Sequence, residues 1–99
     1  MQPITRLISS ITDGNLWTYI LSLGKEIEIQ DKEVAKLVFE KFGFLPNNLM
    51  IMTVLFRLRK DGYISKEKFK GERAYKATEK GLKELEEAKT VYQNFLQKI

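Results

Sequence analysis

The side chains with chemistry to offer in this sequence are cations, and they are bunched. Arg57 to Lys76 holds eight basic and three acidic residues, whereas Met1 to Phe56 has five basic against six acidic and Ala77 to Ile99 four of each. The net charge of +4 therefore originates in one short stretch. Ammonium and guanidinium groups gathered in this way suit a surface that meets phosphate; the bland alternative is a solvated, lysine-rich face. Other chemistries are excluded by what is missing. Neither Cys nor His occurs, which removes disulfide frameworks, thiolate nucleophiles, Cys/His zinc sites and histidine acid–base catalysis. No Gly-rich phosphate loop or metal-ligand spacing is present, and Glu84, Glu86 and Glu87 read as solvated helix charges, so neither a cofactor nor enzymatic activity is expected.

The frame that must position these cations is small. Ninety-nine residues with 43% hydrophobic and 30% charged residues make one globular domain. No apolar run has the length of a signal peptide or a membrane span, so a cytoplasmic protein without a membrane partner is expected.

Apolar periodicity supplies the elements. Ile4, Leu7, Ile8 and Ile11 form one stripe of a short amphipathic helix, broken at Asp13-Gly14. Asn15 is placed to cap a second helix carrying Leu16, Trp17, Ile20, Leu21 and Leu23, which Gly24 ends. Glu26-Ile27-Glu28-Ile29 alternates as a brief strand would, and Asp31 is a ready cap for a helix from Lys32 to Phe42. After the tight link Gly43 to Pro46, a helix from about Asn48 to Asp61 turns Ile51, Val54, Leu55 and Leu58 inward. Two helices so joined suggest helix-turn-helix geometry. Tyr63 to Phe69 and Arg73 to Ala77 then alternate about Lys70-Gly71-Glu72 as a β-hairpin. Thr78 caps a last helix on which Leu85, Ala88, Tyr92, Phe95 and Ile99 recur at heptad spacing. That helix, roughly 33 Å long, is too long to be covered by its own domain. Its apolar seam is expected to join a second copy of the chain, with help from Ile4, Leu7, Ile8 and Ile11; the alternative is packing within the chain.

The fold class is thus mainly α with a small β-hairpin: a winged helix-turn-helix over residues 1–77 with an N-terminal helical extension, and a C-terminal dimerisation helix over 78–99, all in one domain. The stretch Ile51 to Ala88, IMTVLFRLRKDGYISKEKFKGERAYKATEKGLKELEEA, resembles the PadR-like family of winged-helix transcription regulators. The motif positions are Ile51-Met52, Leu55 and Leu58, the hinge Asp61-Gly62-Tyr63-Ile64, Arg73 with Tyr75, and Thr78 with Gly81. Looser similarity extends over most of Asn15 to Ile99. Two departures stand out: two additional positions follow Pro46, and Met52 occupies a place where the family has an aromatic.

The resemblance implies a homodimeric regulator, acting by repression, that lays its recognition helix in the major groove of double-stranded DNA and its basic wing on the backbone or in the minor groove. The recognition-helix side chains would be Asn47, Asn48, Met52, Thr53, Arg57 and Lys60, with both asparagines also suited to plain capping. The wing would contribute Lys66, Lys68, Lys70 and Arg73, of which Arg73 could instead pair with a carboxylate. Leu49 and Phe56 are outward apolar groups better suited to a protein contact than to DNA. Tyr75 is expected in the core or on a phosphate, and any small-molecule effector between the long helix and the core. The alternative reading is a winged helix used only for protein–protein contact.

Overall fold

A computed structural model describes residues 2–99 of the chain. Helix α1 (Pro3–Thr12) runs through a single 3-10 turn into α2 (Leu16–Leu23); β1 (Ile29–Gln30) and a second 3-10 turn, Asp31–Glu33, lead to α3 (Val34–Phe42) and then α4 (Asn48–Lys60). Strands β2 (Glu67–Phe69) and β3 (Glu72–Tyr75) form the hairpin, and α5 (Glu79–Lys98) closes the chain. The three strands make an antiparallel sheet in the order β1-β3-β2. This is a winged helix: α3 and α4 are the two helices of the turn motif and β2–β3 is the wing. Among the described residues no helix is long and apolar enough to cross a membrane.

The core is the meeting of the apolar stripes read from the sequence. Leu16, Ile20 and Leu21 of α2, Val34 and Val38 of α3, and Ile51, Leu55 and Leu58 of α4 close on Ile29, Ile64, Tyr75 and Leu85. Tyr75 is wholly buried, and its hydroxyl donates to the Ile20 carbonyl at 2.7 Å, which answers the cost of burying a phenol. The start of α5 is fixed by Thr78, whose Oγ1 accepts from the Gly81 amide and donates to the Gly62 carbonyl. Gly81 has to lack a side chain, because a Cβ there would stand 2.1 Å from the Tyr63 carbonyl oxygen.

Three local expectations are corrected. The strand over Glu26–Ile29 is reduced to Ile29–Gln30, because in this antiparallel register Ile29 already faces Tyr75, the last residue of β3, and no β3 residue lies opposite Glu26–Glu28; Ile27 is exposed. Asn15 does not cap α2, since the 3-10 turn holds it away from extended geometry, and its amide donates to the Ser10 carbonyl at 2.7 Å instead. Asp31 caps nothing: α3 begins later, at Val34, and the Asp31 carboxylate is taken by Arg59.

Candidate nucleic-acid interface

Helix α4 starts where the capping asparagine puts it. Asn47 has extended geometry, and its Oδ1 accepts from the Leu49 and Met50 amides at 2.8 and 3.3 Å. Asn47 was expected among base-contacting residues; the capping alternative is the one realised, and its oxygen is thereby withdrawn from any base. Beyond the cap, the inward stripe Ile51, Leu55 and Leu58 leaves the rest of the helix to solvent. One side of that exposed surface, Asn48, Met52, Phe56 and Lys60, faces the wing across a groove of about 1170 Å³. Lys66 and Arg73 line the groove from the wing side, and Lys32, in the 3-10 turn before α3, lines it together with its ion-pair partner Glu72. Thr53, Arg57, Lys68 and Lys70 are exposed but lie outside it. The Thr53 hydroxyl donates back to the Leu49 carbonyl at 2.9 Å.

The wing turns tightly. Lys70 and Gly71 both have positive φ, 53° and 78°, the requirement of a two-residue hairpin whose twist matches its strands. The register sets Lys68 directly across from Arg73, so these two cations share one face of the hairpin while Ala74, opposite Glu67, is buried on the other. Like charges facing across a ladder destabilise it unless an anion lies between them. The alternative of a carboxylate partner for Arg73 is not realised: among the described residues the ion pairs are Lys32–Glu72, Arg59–Asp31 and Lys89–Glu86.

One residue outside the sequence-derived set holds the two halves together. Arg59, near the end of α4, forks onto Asp31 with Nη1 to Oδ2 at 2.9 Å and Nη2 to Oδ1 at 2.7 Å, and Nη2 also donates to the Ala74 carbonyl at 3.0 Å. The guanidinium and the carboxylate are largely buried, 16% and 24% exposed. One planar group thus ties α4 to the β1–α3 junction and to the wing's inner strand. Asp31 and Arg59 are separated by most of two helices, and nothing in their spacing signals the pair. Phe56 was legible as an outward residue one turn beyond Met52; its position in the groove follows from where the wing lies.

At the other end, α5 divides in two. Leu85, expected on the partner-facing seam, is only 4% exposed and belongs to the domain's own core, because the first half of α5 packs on α2. Ala88 is half-buried beside a cleft of about 510 Å³ between α2 and α5, lined by Trp17, Val91, Tyr92, Glu84 and Glu87. Beyond it Phe95 and Ile99 are 65% and 97% exposed, and Leu96, which the heptad left out, is 70% exposed. Ile4, Leu7, Ile8 and Ile11 of α1 are likewise exposed.

No protein-family model and no curated protein sequence matches the chain. Solved structures do match, beginning with a PadR-family transcriptional regulator from Eggerthella lenta: TM-score 0.82 at 18% identity, over 95% of this chain and 86% of that one. The chain has the PadR-like winged-helix fold. A PadR-like transcriptional regulator from Bacillus cereus aligns at 27% identity with a TM-score of 0.63, over 90% of this chain and 98% of that one. Bacillus subtilis PadR, solved in complex with operator DNA, aligns at 22% identity and a TM-score of 0.66, over 74% of this chain but 45% of its own. In this shared fold α4 is the second helix of the turn motif, β2–β3 the wing and α5 the C-terminal helix.

Proposed function

We propose that the chain is a double-stranded DNA-binding transcriptional regulator that acts as a homodimer and represses by occupying promoter DNA. The observation that carries this reading is the groove shared by α4 and the wing, with Lys60, Lys66 and Arg73 at its walls and Lys68 beside it. Asn48, Met52 and Lys60 would approach base edges and phosphates in the major groove, while Lys66, Lys68, Lys70 and Arg73 would grip the backbone or minor groove. Thr53 and Arg57, on the far side of the same exposed surface, would meet the flanking strand. The bare apolar half of α5, Tyr92, Phe95 and Ile99 with Val91 and Leu96, would join α1 of one copy or the other in the dimer contact. A twofold pair would place its recognition helices about 34 Å apart, one turn of DNA, and so read a palindrome-like operator. The Bacillus subtilis relative bound to operator DNA supports this reading.

The test is a salt titration of binding to random duplex between about 50 and 200 mM salt, with wild type and the Lys68→Glu/Lys70→Glu variant. Steeply salt-dependent binding that the variant loses is the expected outcome. No duplex binding at low salt overturns the reading. A winged helix used purely for protein contact is favoured by one observation, the exposed Leu49, Met52 and Phe56 on α4, and would leave the variant's partner binding intact.

A further inference from the structure

The outward face of α4 is unusual for a helix that has to meet a polyanion. Leu49, Met52 and Phe56 follow one another at i, i+3 and i+7, and are 73%, 68% and 66% exposed. Among the described residues nothing covers them. Around this apolar stripe the groove is lined by charges of both signs: Lys32 is paired with Glu72 and Arg59 with Asp31, which leaves Lys60 on the same helix and Lys66 and Arg73 on the wing as the cations outside the ion pairs of the described residues. Thr53 has its hydroxyl proton engaged by the Leu49 carbonyl, so it offers a methyl group and an acceptor rather than a donor. Asn48 is the one uncharged hydrogen-bonding side chain of α4 in the groove.

An apolar stripe inside a positive rim fits a partner with apolar spots inside a negative rim. The major groove of duplex DNA is such a partner. Its walls are phosphate, and the one apolar group on its floor is the C5 methyl of thymine. Leu49 to Phe56 spans roughly 10 Å of helix, which matches about three base-pair steps. Resting on the DNA-binding reading above, we propose that this face selects thymine-rich half-sites, with Met52 and Phe56 packing against thymine methyls and Leu49 extending the contact at the helix start. Specificity is then carried mainly by methyl contact, with Asn48 left to read an adenine edge.

Replacing thymine by uracil removes that methyl and leaves every hydrogen-bonding group in place. The probes are two A·T-rich duplexes of about two helical turns, one with thymine and one with uracil, titrated by fluorescence anisotropy with wild type and with Met52→Ala/Phe56→Ala. Both substituted residues are exposed, so the variant should keep its thermal midpoint, which is measured alongside. Wild type should prefer the thymine duplex by about tenfold if two methyls are buried, and the variant should bind both duplexes alike with the salt slope retained. Equal wild-type affinity for the two duplexes overturns the methyl-reading proposal while leaving DNA binding standing. A preference that persists in the variant also overturns it, because the preference would then come from duplex shape. Failure to bind either duplex at low salt overturns the DNA-binding reading itself.

Discussion

Removing the Asp31 carboxylate tests whether one guanidinium holds α4 to the sheet. In Asp31→Ala, Arg59 keeps only the Ala74 carbonyl among its three charge-assisted contacts, and its Nε is already buried without a partner. Orphaning a buried ion-pair partner costs about 3–5 kcal/mol; with both side chains still reached by some solvent, about 2–4 kcal/mol is expected here. A domain of this length has roughly 5–15 kcal/mol of stability in all, so the loss is a large fraction and should lower the midpoint by roughly 10–25 °C. Urea and thermal unfolding followed by far-ultraviolet circular dichroism provide the assay. Replacing both partners, Asp31→Ala with Arg59→Leu, should recover much of the loss, because the desolvation cost of the cation goes with it. If Asp31→Ala falls within about 0.5 kcal/mol of wild type, the range of an exposed pair, then the fork is a solvated contact and the reasoning fails.

Two other outcomes can be checked. If the chain dimerises as proposed, charging the bare end of α5 with Phe95→Asp and Leu96→Asp should convert a dimeric wild type to a monomer in sedimentation equilibrium without loss of helicity, since both residues are exposed in the single chain; an unchanged dimer mass would put the contact elsewhere, and a monomeric wild type would overturn the dimer. Tyr75 is held above the ordinary tyrosine value of 10.0 by burial first, with Asp31 adding and Arg59 opposing. The folded state therefore keeps a proton that the unfolded chain releases above about pH 10, so this group's contribution is complete below that value and is lost as pH rises beyond it. Tyr75→Phe should cost about 1 kcal/mol at neutral pH, the net worth of its hydrogen bond, and flatten the alkaline decline in stability. An equally steep decline in the variant would assign the effect to other groups.

How much of this was legible beforehand differs between local and long-range features. The stripes of α2, α4 and α5 and the Thr78 cap are local, repeating at helical spacing or resting on neighbours three residues apart, so the sequence displays them directly. Asp31 and Asn15 were misread for the opposite reason. Each has the side chain of a cap, but whether it caps depends on what else claims it: the distant Arg59 for Asp31, and for Asn15 the 3-10 turn that continues α1 and the Ser10 carbonyl. Alternation at Glu26 to Ile29 could not show that β3 ends at Tyr75, opposite Ile29. At the interface, charge clustering located the wing but not its register, and it is the register that sets Lys68 against Arg73. Leu85 followed the heptad yet went inward, because a period of seven does not reveal where along a helix the parent domain stops.

The tip of the wing shows a conflict between backbone preference and charge placement. A two-residue turn of this hand is most comfortable with asparagine or glycine at its first position, and lysine there holds φ at 53°. A left-handed lysine costs roughly 1–2 kcal/mol relative to an unstrained backbone. The hairpin is accordingly weaker at its end than the same strands would be around an Asn-Gly turn, and what it has in return is an ammonium group at the apex rather than on the flank. Fraying and reach come from the same residue, so stiffening this loop by the usual consensus change would also shorten its electrostatic reach.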